Sequence, residues 1–288
     1  MLDEYSTKEY ALLVMFTGPY NFFDYKYNIA GYEGQDFDNP IRWIFLIVSL
    51  ILIPVLCVIF RKTKEKQMNL YLGILGIFMI VLYLTKSTWE SVYDIQRDGA
   101  FNTYILPFDT CSIIMLAAPL AGFARGYVQK AAKCWLATGG IVGGISNLLF
   151  LQALKYYPFW TFGAFYSMFW HFIMVFTGVF LIITKNVELN WKSVVYGFAF
   201  HMAFSLIVIP IDHILDMDFM LYRNAGGAPL VEDLASKLNE QGLYWLTTIL
   251  MIHVYLLLFA FIIYLSLGIS KLVGLFQKLF HMAAKPQE

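Results

Sequence analysis

The stretch from Leu243 to Leu267, LYWLTTILMIHVYLLLFAFIIYLSL, holds one histidine and no Asp, Glu, Lys or Arg. A helix needs about 20 mainly apolar residues to cross the hydrocarbon core, because its backbone groups must bond internally where water is absent. This stretch meets that length, and working outward the same pattern recurs near 41–60, 69–88, 104–124, 134–154, 164–184 and 193–213. The reading is an all-α polytopic transmembrane bundle of about seven spans. The second span is the least clean, since its apolar run from Leu70 to Leu84 continues into Lys86, Trp89 and Glu90 and predicts a polar outer turn. Composition agrees: 59% of the chain is hydrophobic and 14% charged, against roughly 45–50% and 25% in soluble domains.

Net charge is zero, so charge points to neither a nucleic acid nor an acidic partner. Its distribution is more informative. The connections 61–66, 125–133 and 185–192, with the tail after Leu267, hold twelve of the 20 Lys and Arg. The positive-inside rule puts that side in the cytoplasm, the amino terminus outside and the carboxyl terminus inside. The chain divides into an extracytoplasmic segment 1–40, a bundle 41–267 and a cytoplasmic amphipathic tail 268–288. Residues 9–23, EYALLVMFTGPYNFF, are too short and broken to span and read as interfacial, re-entrant or packed on the bundle. The acidic amino terminus lacks the basic region of a cleavable signal, so the whole chain is read as mature. The expected location is a multi-pass integral one, in a bacterial plasma membrane. Of the outer connections, residues 214–242 are a candidate lid containing a short helix, LVEDLASKLNEQG.

Ionisable side chains inside a bilayer are costly, so each is a functional hypothesis with a partner to be found. Within or beside the spans lie Asp109, Cys111, Asn147, His171, His201, Asp212, His213 and His253. If segments three and five are helices from their outer ends, Cys111 and His171 each sit on the order of 10 Å below that boundary. Asn147 falls in the same layer. A thiol becomes a nucleophile when a base generates its thiolate, and His is the usual base. Cys111 with His171 therefore suits thioester chemistry, with Asp109 or Asn147 orienting the imidazole. Against this stands a packed thiol and an interhelical hydrogen-bonding histidine. Cys57 and Cys134 read as structural. No metal is expected: His201 and His213 lie roughly 18 Å apart along one helix, and no HExxH spacing occurs. No cofactor is expected either. Gly139, Gly140, Gly143 and Gly144 give overlapping GxxxG spacings suited to close internal packing, and also to a homodimer through the fourth span.

Ile105-Leu106-Pro107-Phe108-Asp109-Thr110-Cys111-Ser112-Ile113-Ile114 resembles the LP-x-x-C helix of the bacterial YwaF-like membrane proteins, grouped with the eukaryotic transmembrane protein 164 family. Phe169-Trp170-His171-Phe172-Ile173 resembles that family's histidine-bearing helix. Asp218-Phe219-Met220-Leu221-Tyr222-Arg223, followed by a Gly/Pro turn, resembles its N-Y-M-Y-L stretch. The resemblance covers segments two to seven. It implies a cysteine-dependent acyltransferase on phospholipids, with Cys111 as the acylated nucleophile and His171 as base. From their own polarity, and not from the resemblance, Asp109, Asn147, His201, His253 and Arg223 are the candidate supporting or substrate-binding residues. The sequence departs from the family at Asp109, where a histidine is common, and at Asp218, where an Asn is.

Three functional readings follow. The first is a membrane enzyme that transfers or hydrolyses fatty acyl groups on membrane lipids. The second is a transporter or lipid-binding permease using the same polar layer. The third is a non-catalytic partner in a larger complex.

Overall fold

A computed structural model describes residues 22–24, 40–150, 157, 161–225 and 231–283; the expected interfacial segment 9–23 and the turn at 226–229 lie almost wholly outside them. The described residues are helical and contain no strand. In chain order the helices are α1 (Pro40–Ile59), α2 (Glu65–Asp98), α3 (Ile114–Phe123), α4 (Gly126–Ala137), α5 (Gly139–Phe150), α6 (Phe162–Ile183), α7 (Trp191–Leu215), α8 (Glu232–Glu240) and α9 (Tyr244–Ala283). Five segments are long and apolar enough to cross a membrane: Glu65–Gln96, Thr103–Phe123, Phe162–Ile183, Trp191–Leu215 and Tyr244–Ile269. In α1 the apolar run is shorter, Trp43–Ile59. Large apolar side chains face outward along it, including Ile44, Leu50 and Ile51, as expected of a surface that meets lipid rather than water.

The clean fourth span expected at 134–154 is instead two short helices, α4 and α5, broken at Thr138 (φ −121°, ψ −79°). The break is locally satisfied: the Thr138 hydroxyl donates to the Cys134 carbonyl at 2.8 Å and the Val142 N–H bonds the Thr138 carbonyl at 3.0 Å. That local repair is how interrupted helices are tolerated at membrane depth. The third span is also irregular, and only its second half, α3, is α-helical. In α2, by contrast, 34 residues run without interruption through the apolar face into Lys86 and Glu90. It ends at Gly99, whose left-handed φ of 67° lets its N–H bond the Ile95 carbonyl. As the sequence predicts, the connection between α7 and α9 carries a short helix, α8.

The core sits where α2, α3, α4 and α6 meet, around Met68, Leu72, Met79, Ile114, Trp135 and Met174. Two close approaches set its geometry. A Cβ on Gly122 of α3 would stand 2.3 Å from the Gly73 nitrogen of α2, so those backbones touch. A Cβ on Gly144 of α5 would meet the Val175 side chain at 2.6 Å and the His171 carbonyl at 3.0 Å on α6. The glycine-rich fourth segment thus serves packing within the chain, the arrangement small residues permit where apolar burial gives helices little reason to associate.

Candidate functional site

Cys111 lies on a 3-10 turn, Thr110–Ile113, and not on the regular helix from which its depth was inferred. An earlier 3-10 turn, Thr103–Ile105, is capped by the Asn102 side chain, and Leu106–Asp109 links the two. Pro107 lacks an N–H and restricts its predecessor to extended backbone, which accounts for the unwinding. Three bonds hold the unwound stretch. The Trp170 indole N–H of α6 donates to the Cys111 carbonyl at 3.1 Å. Thr110 shares a 2.9 Å hydrogen bond with the Tyr255 hydroxyl of α9, and the Tyr83 hydroxyl of α2 donates to the Ile105 carbonyl.

Cys111 is half-buried as a residue, and the electrostatic neighbours of its thiol are Asp109 and Lys86. Tyr83 and Tyr166 lie within electrostatic reach of both Cys111 and Asp109. The Lys86 ammonium stands 5.6 Å from the centre of the Tyr166 ring and pairs with Glu90 one turn on. Glu90 also accepts the Tyr157 hydroxyl. Asp212 of α7 is an electrostatic neighbour of Asp109. One of its oxygens accepts the Phe219 N–H at 2.9 Å, while the other is buried without a hydrogen-bond partner among the described residues.

His171 follows Trp170, so its helix abuts the Cys111 backbone. The His171 ring is 5% exposed, and its Nδ1 bonds the Ser167 carbonyl at 2.7 Å. A carbonyl only accepts, so Nδ1 carries the proton and Nε2 keeps its lone pair. No hydrogen bond joins that ring to the Cys111 thiol among the described residues. Asn147 is half-buried on α5.

The remaining candidates go elsewhere. His253 is on an exposed face of α9, bonded to the Ile249 carbonyl at 2.7 Å. Arg223 pairs with Asp216 in the loop that follows α7, where its own N–H bonds an Asp218 carboxylate oxygen at 2.9 Å. His201 is completely buried in a network of its own. The Ser205 hydroxyl donates to the His201 carbonyl at 2.9 Å, so it accepts from the Tyr222 hydroxyl at 2.8 Å. Tyr222 must then accept from His201 Nε2 at 3.1 Å, leaving Nδ1 to face the Trp135 indole N–H at 3.5 Å. Burial pushes the Tyr222 hydroxyl up to about 12, which keeps it a donor. One tautomer satisfies every partner.

The loop 216–225 lies over the unwound stretch. Phe219 sets its ring 5.5 Å from that of Phe108 and 6.2 Å from that of Tyr104, and Thr103 donates to the Met217 sulfur at 3.3 Å. The Met220 carbonyl accepts the Tyr255 hydroxyl at 3.1 Å. Asp216, Leu221 and Ala225 all adopt left-handed φ, a conformation non-glycine residues hold only where surrounding contacts impose it.

Sequence reasoning read Lys86 and Glu90 only as a polar turn and gave no role to Tyr83, Tyr166 or Trp170. A signal was present for the first three: positions 83, 86 and 90 share one helical face. Tyr166 and Trp170 carry none, because aromatic residues in a span read as packing or interfacial anchors.

No curated protein and no solved structure matches the chain. The family model for the TMEM164 family matches residues 37–269. Since this match takes in the unwound cysteine stretch, the polar turn of α2 and the bundle that holds them, the chain is a membrane protein belonging to the TMEM164 family.

Proposed function

We propose that this protein is a membrane-embedded acyltransferase or acyl hydrolase acting on membrane lipids, with Cys111 as the acyl-carrying nucleophile. The carrying observation is the setting of Cys111: a half-buried cysteine on an unwound turn whose carbonyl is fixed by Trp170, beside Lys86, Asp109, Tyr83 and Tyr166. The thiolate attacks the ester carbonyl of a lipid, the C–S bond forms, and the C–O bond breaks as the lyso-alcohol leaves. An acceptor hydroxyl or water then takes the acyl group and restores the thiol. His171 is the base of this scheme. Its Nε2 lone pair takes the thiol proton and returns it to the leaving oxygen, in a contact that catalytic pairs often make only in the substrate complex. Lipid enters from the outer half of a bacterial plasma membrane. Counting α1 and the α4–α5 pair beside the five long segments gives seven crossings, amino terminus outside and carboxyl terminus inside.

A chloroacetamide probe carrying a fatty acyl chain should label the wild-type protein in detergent, and Cys111→Ala and His171→Ala should each lose labelling while staying folded. Equal labelling of wild type and Cys111→Ala ends the thioester reading. A lipid permease is the second reading, favoured by two interrupted segments, at Thr138 and at 106–109, since discontinuous helices line transport sites. Lipid flux that persists in Cys111→Ala supports it.

A further inference from the structure

At the far end of α3 from Cys111, the ten residues of that helix away or about 15 Å of rise, a cleft of about 570 Å³ opens to the surface. It is formed by the starts of α2, α4 and α7 and by the connection between α6 and α7. Lys130, Lys133, Lys185 and Lys192 line it, against Glu65 and Glu188. Four ammonium groups thus face two carboxylates, an imbalance that draws an anion. We infer that this cleft is a binding site for a phosphate group, presented by an anionic lipid headgroup or as free phosphate, and separate from the Cys111 site.

Basic residues at a membrane boundary ordinarily extend into water; Lys185 and Lys192 are exposed, and so is Lys130, whose ammonium stands 4.5 Å from the centre of the Tyr196 ring. Lys133 is not. It is 5% exposed, and its ammonium reaches only a long 3.4 Å contact with Glu65, whose side chain is 74% exposed. A buried ammonium with one distant, solvated partner is under-compensated, and an anion in the cleft completes its pairing. The helix ends reinforce this. Gly126, the first residue of α4, lines the cleft, and no side chain caps that end of the 12-residue helix, so its terminal N–H groups stay available to an acceptor. The start of α7 differs in being self-capped, since Ser193 N–H bonds the Asn190 side chain at 3.1 Å and the Ser193 hydroxyl accepts the Asn190 N–H at 3.0 Å. The anion is therefore placed toward α4, beside Lys130 and Lys133. The exposed apolar residues Tyr127, Ile183 and Trp191 flank the same connections and suit acyl chains beside a headgroup.

The inference is independent of the acyl-transfer reading. Its test uses the full chain in a neutral maltoside detergent, with thermal midpoint and lipid retention by native mass spectrometry as readouts. Phosphatidylglycerol should raise the midpoint and be retained where phosphatidylcholine is not. A rise with inorganic phosphate, against chloride at matched ionic strength, assigns the free anion as the source and equally supports the site. Replacing the three exposed lysines (Lys130→Gln, Lys185→Gln, Lys192→Gln) leaves the buried core intact and should weaken binding on the order of a hundredfold. If neither phosphatidylglycerol nor phosphate shifts the wild type, or if the triple variant responds as the wild type does, the site does not exist.

Discussion

Two polar clusters lie beneath the same loop, 216–225, and differ in how completely their groups are paired. Around His201, the imidazole, Tyr222 and Ser205 form a network in which each donor finds an acceptor and a single tautomer fits. Around Cys111 the pairing is uneven: Lys86 and Glu90 are matched, but Asp212 keeps one buried oxygen without a hydrogen-bond partner among the described residues. Unpaired buried polar groups cost free energy that folding does not recover. A fully satisfied network is what a structural role needs, and an unsatisfied one keeps hydrogen-bonding capacity for something that arrives later. The difference separates His201, a histidine that anchors the loop, from the residues beside the thiol.

That contrast can be broken experimentally, most sharply at the thiol. Cys111→Ala should lower acyl-probe labelling by roughly three orders of magnitude, as loss of a nucleophile does, with little change in thermal midpoint. A midpoint that collapses instead would place Cys111 among the packing residues. His201→Ala should do the reverse, destabilising the fold by about 3 kcal/mol through the lost ring, the stranded Trp135 donor and the Tyr222 lone pair left without a donor. Wild-type melting of that variant would contradict the structural role. Gly144→Val comes next, at about 2 kcal/mol, because the new side chain overlaps Val175 and the His171 carbonyl, which is backbone and yields little. Should it melt normally, α5 and α6 are farther apart than described. The smallest effect belongs to Asp212→Asn: its amide oxygen still accepts the Phe219 N–H, so stability should change by less than about 1 kcal/mol. A loss as large as that of His201→Ala would mean the second oxygen has a partner after all.

Much of the candidate site was legible one residue at a time. Cys111, Asp109 and Asp212 announced themselves because a polar group in an apolar run has no cheap explanation. Lys86 and Glu90 were visible as a polar outer turn of the second span, but their closeness to Cys111 was not, since α2 and the 3-10 turn join only through tertiary packing. His253 shows the opposite case. By depth it fell only somewhat below the layer of Cys111 and His171, yet it faces outward from α9, because rotation about the helix axis leaves no mark on a uniformly apolar segment whose hydrophobic residues occupy every face.

The sequence alone determined that the chain is helical and crosses a membrane, and which short stretches carry polar chemistry. Those properties follow from composition and length, which act through the solvent and need no knowledge of neighbours. Tertiary structure decided where the spans break, at Thr138 and before Ile114, and which side chains meet. A break persists only when a hydroxyl or indole from nearby repairs its backbone bonds, as Thr138 and Trp170 do, and contacts between helices depend on rotations and close glycine approaches that apolar periodicity does not encode.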